Sequence, residues 1–243
     1  MATSIAAAMT MAFPMTAVAA GPAKAPPASG VLMIGSSSVN GAMGRAIGTG
    51  LEKHGMSVQR RGVGAAGLAR PDFFDWVNEA RTIKLAPRTK AAIVYLGGND
   101  AQGIWLHPSE RAGKKRRSQW IVWKDPRWTK AYQGRVTAFV DALCKRGVRR
   151  VVWLTTVDVG NGWLQKRLRR IRDVQTRGVK KSRCGVVVAA TGDLANIARS
   201  ARTSRPIREK DGVHLTRAGA TVLWARLAKR VLELVDSARL ASR

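Results

Sequence analysis

Ser36-Ser37-Ser38, Asn99 and Asp211-Gly212-Val213-His214 are residues of the types that acyl transfer needs. A serine hydroxyl attacks a carbonyl only when a base takes its proton, and the base needs a partner that fixes its tautomer. Asp211 and His214 offer that pair from one short turn. Of the three histidines, His54 ends a helix-like stretch and His107 sits in a basic insertion, which leaves His214 as the best-placed base. The Asn99 side-chain amide can donate to an oxyanion without bringing a charge. Gly67 can offer a backbone N–H with no Cβ to obstruct a substrate. Each feature also has a plain conformational reading. Gly97-Gly98-Asn99-Asp100 suits a turn, Asp211 suits an N-cap beside an unrelated histidine, and any of the three serines can cap a helix. Spacing alone leaves open which serine would be the nucleophile.

The elements that must position these residues are legible from hydrophobic pattern. Val31–Gly35, Met56–Arg60, Ala91–Leu96, Val151–Thr155 and Gly185–Ala190 are short, rich in Val, Ile and Leu, and read as buried strands. Gly41–His54, Trp128–Arg146 and Thr216–Ser237 repeat apolar residues at three- and four-residue spacing and read as helices. Alternation of strand and helix predicts an α/β fold, a parallel sheet with helices on both faces. Function in such sheets collects at the carboxyl ends of the strands. Gly35-Ser36-Ser37 and Gly97-Gly98-Asn99 each follow a strand directly, so both should lie on that edge. The stretch 101–127 is a long irregular insertion with Trp105, Trp120 and Trp123, a Lys114–Arg117 basic run, and Trp128 just beyond. A second basic cluster spans Lys166 to Arg183.

With 43 Lys+Arg against 15 Asp+Glu, the formal net charge is +28, which should draw polyanions of any kind. Residues 1–20 carry no charged side chain and end in Ala17-Val18-Ala19-Ala20, a small-residue cleavage pattern, so they read as a signal peptide and the protein as exported. Residues 21–30 read as a linker, 31–237 as one domain and 238–243 as a tail. Export to a bacterial periplasm or beyond makes nucleic acid a poor candidate partner and an anionic envelope polymer a better one. No other apolar run is long enough to span a membrane. Cys144 and Cys184 fit no metal spacing. In an oxidising compartment they can pair, or they can remain two buried thiols.

Taken together, Gly35-Ser36-Ser37-Ser38, Gly67, Gly97-Gly98-Asn99-Asp100 and Asp211-x-x-His214 resemble the four blocks of the SGNH (GDSL-type) hydrolase superfamily. The likeness covers roughly Val31 to Val235. It is closer to an exported bacterial subgroup that bears only a domain-of-unknown-function label. Gly67-Leu68-Ala69-Arg70-Pro71-Asp72-Phe73, Asn99-Asp100-Ala101-Gln102, Trp128-x-x-x-Tyr132-x-x-Arg135-Val136 and Asp211 to Gly219 carry that closer match. Ser36 stands where many members have Asp, and 157–183 lacks a Pro-Pro-Met-like piece expected after the fourth strand.

The resemblance implies a three-layer α/β/α sandwich with a five-stranded, flavodoxin-like parallel sheet. It implies Ser37 as nucleophile, His214 as base and Asp211 as its orienter. The N–H groups of Ser37 and Gly67 and the Asn99 side chain would form the oxyanion hole, with no metal or organic cofactor. The expected activity is ester hydrolysis, of O-acetyl groups on envelope glycans in particular, or acetyl transfer by the same residues. A domain that lacks catalysis and binds polyanions is the non-enzymatic alternative. Trp105, Trp120, Trp123 and Trp128 have two readings: with Arg70 they face the substrate, an ester-bearing small molecule or acylated glycan, or they pack the insertion down while its cations form a solvated face. On the first reading, Arg111 and Lys114–Arg117 would hold the substrate's anionic groups.

Overall fold

The computed structural model describes residues 30–107, 110, 119–192 and 205–240. The expected signal segment, the linker up to residue 29, and the Arg111 and Lys114–Arg117 cations lie outside the described residues.

Five strands form one parallel sheet: β1 (Gly30–Gly35), β2 (Ser57–Gly62), β3 (Thr89–Tyr95), β6 (Arg150–Leu154) and β7 (Gly185–Val188), in the order β2-β1-β3-β6-β7. Every residue of β1 is buried, as a central parallel strand with helices on both faces requires. Alternate residues serve opposite cores. Leu32, Ile34, Ala92, Val94, Val151 and Trp153 face a layer built on α3 (Trp76–Thr82), α4 (Arg127–Lys145) and α5 (Gly162–Lys180). Val31, Met33, Ala91, Ile93, Val152 and Leu154 face α2 (Ala42–Lys53) and the C-terminal helix α6 (Arg217–Leu240). The result is the expected α/β/α sandwich.

The strands differ from their predicted bounds for local reasons. β2 runs on to Gly62 because Gly62 still pairs with Gly35. β7 stops at Val188, and the Ala190 N–H turns to the Thr155 hydroxyl at 2.9 Å. Helix α5 lies inside the basic stretch that shows no apolar pattern by eye. Its core stripe is Leu168, Ile171, Val174, Gln175 and Val179. α6 continues to Leu240, into the segment read as a tail. Within the insertion, β4 (Ile104–Trp105) and β5 (Trp120–Ile121) pair as a short antiparallel ribbon.

A disulfide joins Cys144, at the end of α4, to Cys184, just before β7, with Cα atoms 6.0 Å apart. It lies at the amino-terminal edge of the sheet, opposite the edge where β1 and β3 end. Among the described residues no helix is long and apolar enough to cross a membrane.

Candidate active site

Strand order reverses beside β1, whose neighbours are β2 and β3, and the candidate catalytic residues collect at that switch point. β1 ends at Gly35. A Cβ there would run into the Tyr95 carbonyl and the Val39 side chain, so only glycine lets the chain turn this tightly into α1 (Ser37–Asn40). Ser36 precedes the helix, buried and without a side-chain cap bond, and Ser37 is its first residue. The Asn40 side chain donates to the Gly62 carbonyl at 3.1 Å, and the Val63 N–H donates to the Gly35 carbonyl at 2.9 Å. Those two bonds fix the serine turn to the end of β2.

His214 reaches this turn from 177 residues away. Its Nε2 lies 2.8 Å from the Ser37 Oγ and its Nδ1 lies 2.6 Å from the Asp211 Oδ2. Gly212 has φ +68°, a left-handed turn that suits glycine, and it folds Asp211 back over the following backbone. The other carboxylate oxygen, Oδ1, then accepts the N–H groups of Val213 at 2.8 Å and His214 at 2.9 Å. The imidazole hydrogen bond, reinforced by these backbone donors, holds the Asp211 carboxyl down at about 2. The turn itself is clamped. The Glu209 N–H donates to the His214 carbonyl at 2.9 Å, Arg208 bonds the Asp158 carbonyl, and Asp158 pairs with buried Arg172 at 2.7 Å.

Asn99 sits in a short 3₁₀ turn (Gly98–Asp100) after β3. One hydrogen of its Nδ2 goes to the Ala66 carbonyl at 3.1 Å, which leaves the other for a ligand. Gly67 packs so closely on Asp100 that a Cβ would meet the carboxylate. Thus Ser37, Gly67, Asn99, Asp211 and His214, dispersed in sequence, share one edge of the sheet. His54 and His107 do not join them: His54 bonds the Gly50 carbonyl at 3.0 Å, and His107 stacks edge-on near Trp105.

The support beneath this edge is a residue the sequence reading leaves unused. Asp100 is completely buried. Its Oδ1 accepts the Ala69 N–H at 2.7 Å and its Oδ2 accepts the Tyr132 hydroxyl at 2.7 Å. Burial pushes its carboxyl up to about 6, against the pull of Tyr132, the Ala69 N–H and the Arg135 charge. Burial, with the adjacent Asp100 charge, drives the Tyr132 hydroxyl well above its ordinary value. Gln175 donates to the Tyr132 oxygen at 2.9 Å and to the Leu96 carbonyl at 3.0 Å. Arg135 donates to the Leu68 carbonyl at 3.0 Å and to the Trp105 carbonyl at 2.6 Å, while the Trp128 indole donates to the Gln102 carbonyl at 2.7 Å. Trp128, Tyr132 and Arg135 follow one another on one face of α4. From that face they grip both loops that carry Gly67 and Asn99.

The tryptophans divide. A cleft of about 480 Å³ beside Asn99 is lined by Arg70, Phe73, Gln102 and Trp163 among others. Arg70 is paired with Asp72 at 2.8 Å and stacks over Trp120, 4.9 Å from the ring centre. Trp105, Trp120 and Trp123 are not among the residues lining the cleft. Trp123 packs edge-on against Trp128 at 4.4 Å, with Arg167 and Arg170 over its ring. Trp128 follows the packing reading: it is wholly buried and stacked on Tyr132, so it does not face substrate. Trp163 is a cleft residue that the sequence reading does not single out. It is 59% exposed, and its place at the start of α5, after the turn that follows β6, is the available signal.

The protein is a parallel five-stranded α/β/α sandwich that carries a hydrogen-bonded chain from Ser37 through His214 to Asp211 at its switch point. Solved structures agree on the fold. An α/β hydrolase, LAE5, from the metagenome of Lake Arreo, Spain, matches at TM-score 0.52 and 14% identity over 82% of this chain and 94% of its own. A single-residue variant of Axe2, an acetyl xylan esterase from Geobacillus stearothermophilus, matches at TM-score 0.52 and 15% identity over 85% and 94%. The psychrotrophic esterase EstA of Pseudoalteromonas sp. matches at TM-score 0.50 and 10% identity over 84% and 99%. No curated protein matches the chain. Residues 30–230 match the model of the protein family of unknown function DUF459, and the chain belongs to that family.

Proposed function

We propose that this protein is a serine esterase that cleaves carboxylic esters through an acyl-serine intermediate. The observation that carries the reading is the continuous relay of 2.8 Å and 2.6 Å from the Ser37 hydroxyl through His214 to Asp211. With Nδ1–H donated to Asp211, His214 keeps a bare Nε2 that can accept the serine proton. The Ser37 Oγ then bonds to the ester carbonyl carbon, and the carbonyl oxygen takes up the negative charge. The N–H groups of Ser37 and Gly67 and the spare Asn99 hydrogen are the proposed donors to that oxygen. His214 passes its proton to the alkoxide as the C–O bond breaks. Water then repeats the sequence on the acyl-serine and regenerates the hydroxyl.

The acyl group is proposed to be small, an O-acetyl carried by a sugar. Two exposed rings, Phe73 and Trp163, line the cleft beside Asn99 with Arg70 and Gln102, a combination suited to a carbohydrate's apolar faces and hydroxyls. The acetyl xylan esterase among the structural neighbours is compatible with that chemistry. Export is proposed too, supported by the Cys144–Cys184 disulfide, a bond that persists in oxidising compartments.

The test is hydrolysis of a chromogenic acetyl ester by the protein and by Ser37→Ala. Loss of at least about 10³-fold in kcat/KM is expected, since binding and the oxyanion donors alone leave little activity. Equal rates in the two proteins would overturn the assignment of Ser37. Adding an acetyl-accepting oligosaccharide to the same assay separates hydrolysis from transfer, because transfer yields acetylated acceptor in place of acetate.

A further inference from the structure

The edge of the sheet opposite the relay carries a second, differently built surface. Because all five strands are parallel, the segments leading into β3, β6 and β7 emerge side by side there. They bring Arg88, Lys90, Lys145, Arg149, Lys181 and Arg183 to one end of the molecule. No Asp or Glu occurs between Glu79 and Asp100, between Asp141 and Asp158, or between Asp173 and Asp193. A cleft of about 520 Å³ opens among them, lined by Lys90, Arg149 and Arg183 around the Cys144–Cys184 disulfide.

This cleft is held rigidly. The Arg149 N–H donates to the Lys90 carbonyl at 2.8 Å, and the Val151 N–H donates to the Cys184 carbonyl at 2.8 Å. The disulfide ties the segment bearing Arg183 to the end of α4. Lys145 and Lys181 lie where a helix carboxyl end favours a cation anyway. Arg149 lies beyond the last turn of α4, Arg183 beyond that of α5 and Lys90 at the start of β3, and among the described residues no carboxylate pairs with them. By contrast, cations nearer the relay are occupied: Arg70 with Asp72, Arg135 with Glu110, Arg172 with Asp158, and Arg167 with the Ala101 carbonyl and two indole rings.

We propose that this basal cleft is a docking site for a linear anionic polysaccharide, bound through its repeated charges. The chemistry of the partner follows from what the surface lacks as well as what it holds. Single-stranded nucleic acid is gripped by aromatic rings that stack on bases, and lipid surfaces by apolar side chains that enter them. The large apolar residues exposed among the described residues are Phe73, Trp120, Val122 and Trp163, all outside the segments that form this base. An anionic polymer held by charge is what fits, and the export proposed above favours a polysaccharide over duplex nucleic acid. Strands of this length separate the basal cleft from the relay by about 20 Å, so a docked polymer leaves the relay edge open. The inference stands apart from the esterase reading and holds equally for a domain without catalysis.

The experiment compares two neutralised proteins, Lys90→Gln/Arg149→Gln/Arg183→Gln at the base and Lys53→Gln/Arg217→Gln/Lys229→Gln on the α2–α6 face. Both remove the same net charge from exposed or half-exposed positions, and thermal unfolding checks that each is folded. Titrations use polygalacturonate over a range of salt, with oligo-dT and phosphatidylglycerol-containing vesicles alongside. The basal protein is expected to bind polygalacturonate about tenfold more weakly, with the slope of log Kd against log salt reduced by about three. The α2–α6 protein should lose less than about twofold. Equal losses in the two proteins, or none at the base, overturn the proposal. So does stronger basal dependence for oligo-dT or vesicles than for polygalacturonate, which assigns the cleft to nucleic acid or lipid instead.

Discussion

Replacing Tyr132 with Phe removes one hydroxyl and strands one buried carboxylate, and its cost should depend on pH in a direction fixed by the structure. The Tyr132 hydroxyl donates to the Asp100 Oδ2 at 2.7 Å in a region with no solvent. Hydrogen bonds to charged groups contribute about 1.5–3 kcal/mol, neutral ones about 0.5–1.5 kcal/mol. Asp100 titrates at about 6 in the folded protein against 3.8 ordinarily. Between those values the native state keeps a proton that the unfolded chain has released. Stability from this group therefore falls as pH rises through that window and levels off above about 6, a change of about 3 kcal/mol. Other carboxylates add their own pH dependence, so the informative quantity is the difference between wild type and Tyr132→Phe at each pH.

Above the window the mutant leaves a charged oxygen short of a donor. The loss should be about 2 kcal/mol near pH 8 and shrink to about 1 kcal/mol near pH 5, where Asp100 is protonated in both proteins. Urea unfolding at several pH values, with the slope m held constant, measures this from the shift in midpoint. A destabilisation that is the same at both ends of the range, or larger at the acid end, refutes the claim that Tyr132 supports Asp100 as a carboxylate.

Asp211→Asn should lower kcat by about 10³–10⁴-fold. The new amide would donate to Nδ1 and force the proton onto Nε2, which can then no longer accept from Ser37. Because Asp211 titrates at about 2, below the ordinary 3.8, its contribution to stability is complete above the ordinary value and fades only as pH falls toward 2. The acid limb of a pH–rate profile should accordingly be a single protonation that is not Asp211's. Asn99→Ala should cost about 10²–10³ in kcat with little change in KM, measured on the acetyl ester. Trp163→Ala should raise KM for an acetylated oligosaccharide at least about fivefold, while leaving a small acetyl ester nearly unaffected. Reducing the disulfide, which spans 40 residues, should cost about 4 kcal/mol of unfolding free energy, read from the shift in urea midpoint, and leave the acetyl-ester rate unchanged.

The sandwich was legible because buried parallel strands are short and almost purely apolar, as in Val31–Ile34 and Ala91–Val94. The serine turn, Asn99 and the Asp211–His214 pair were legible because glycines and strand ends bracket them. Helix α5 was hidden by its arginines. Arg167 and Arg170 lay their guanidinium groups over Trp123, so cations serve there as packing material and blur the apolar period. Trp128 left two readings open by its type, and Trp128 and Tyr132 four residues apart, followed by Val136, mark the buried helical face that decides for packing. The role of Asp100 could not be read locally, since its burial depends on Tyr132, 32 residues away, and on the Ala69 N–H from the other side. The two-residue strands β4 and β5 are too short to leave a period at all.

On the proposed mechanism, the separation of Ser37 from His214 by 177 residues makes turnover a clock for folding. The proposed nucleophile belongs to the opening strand and turn, whereas its base arrives with the segment leading into the closing helix. A ribosome-bound chain that already displays the serine is therefore chemically silent, and so is a refolding chain whose sheet has formed without α6. After dilution from denaturant, the return of ester cleavage should trail the return of sheet signal by the time α6 takes to dock. Recovery kinetics with no lag behind the sheet signal would instead show that α6 docks together with the sheet.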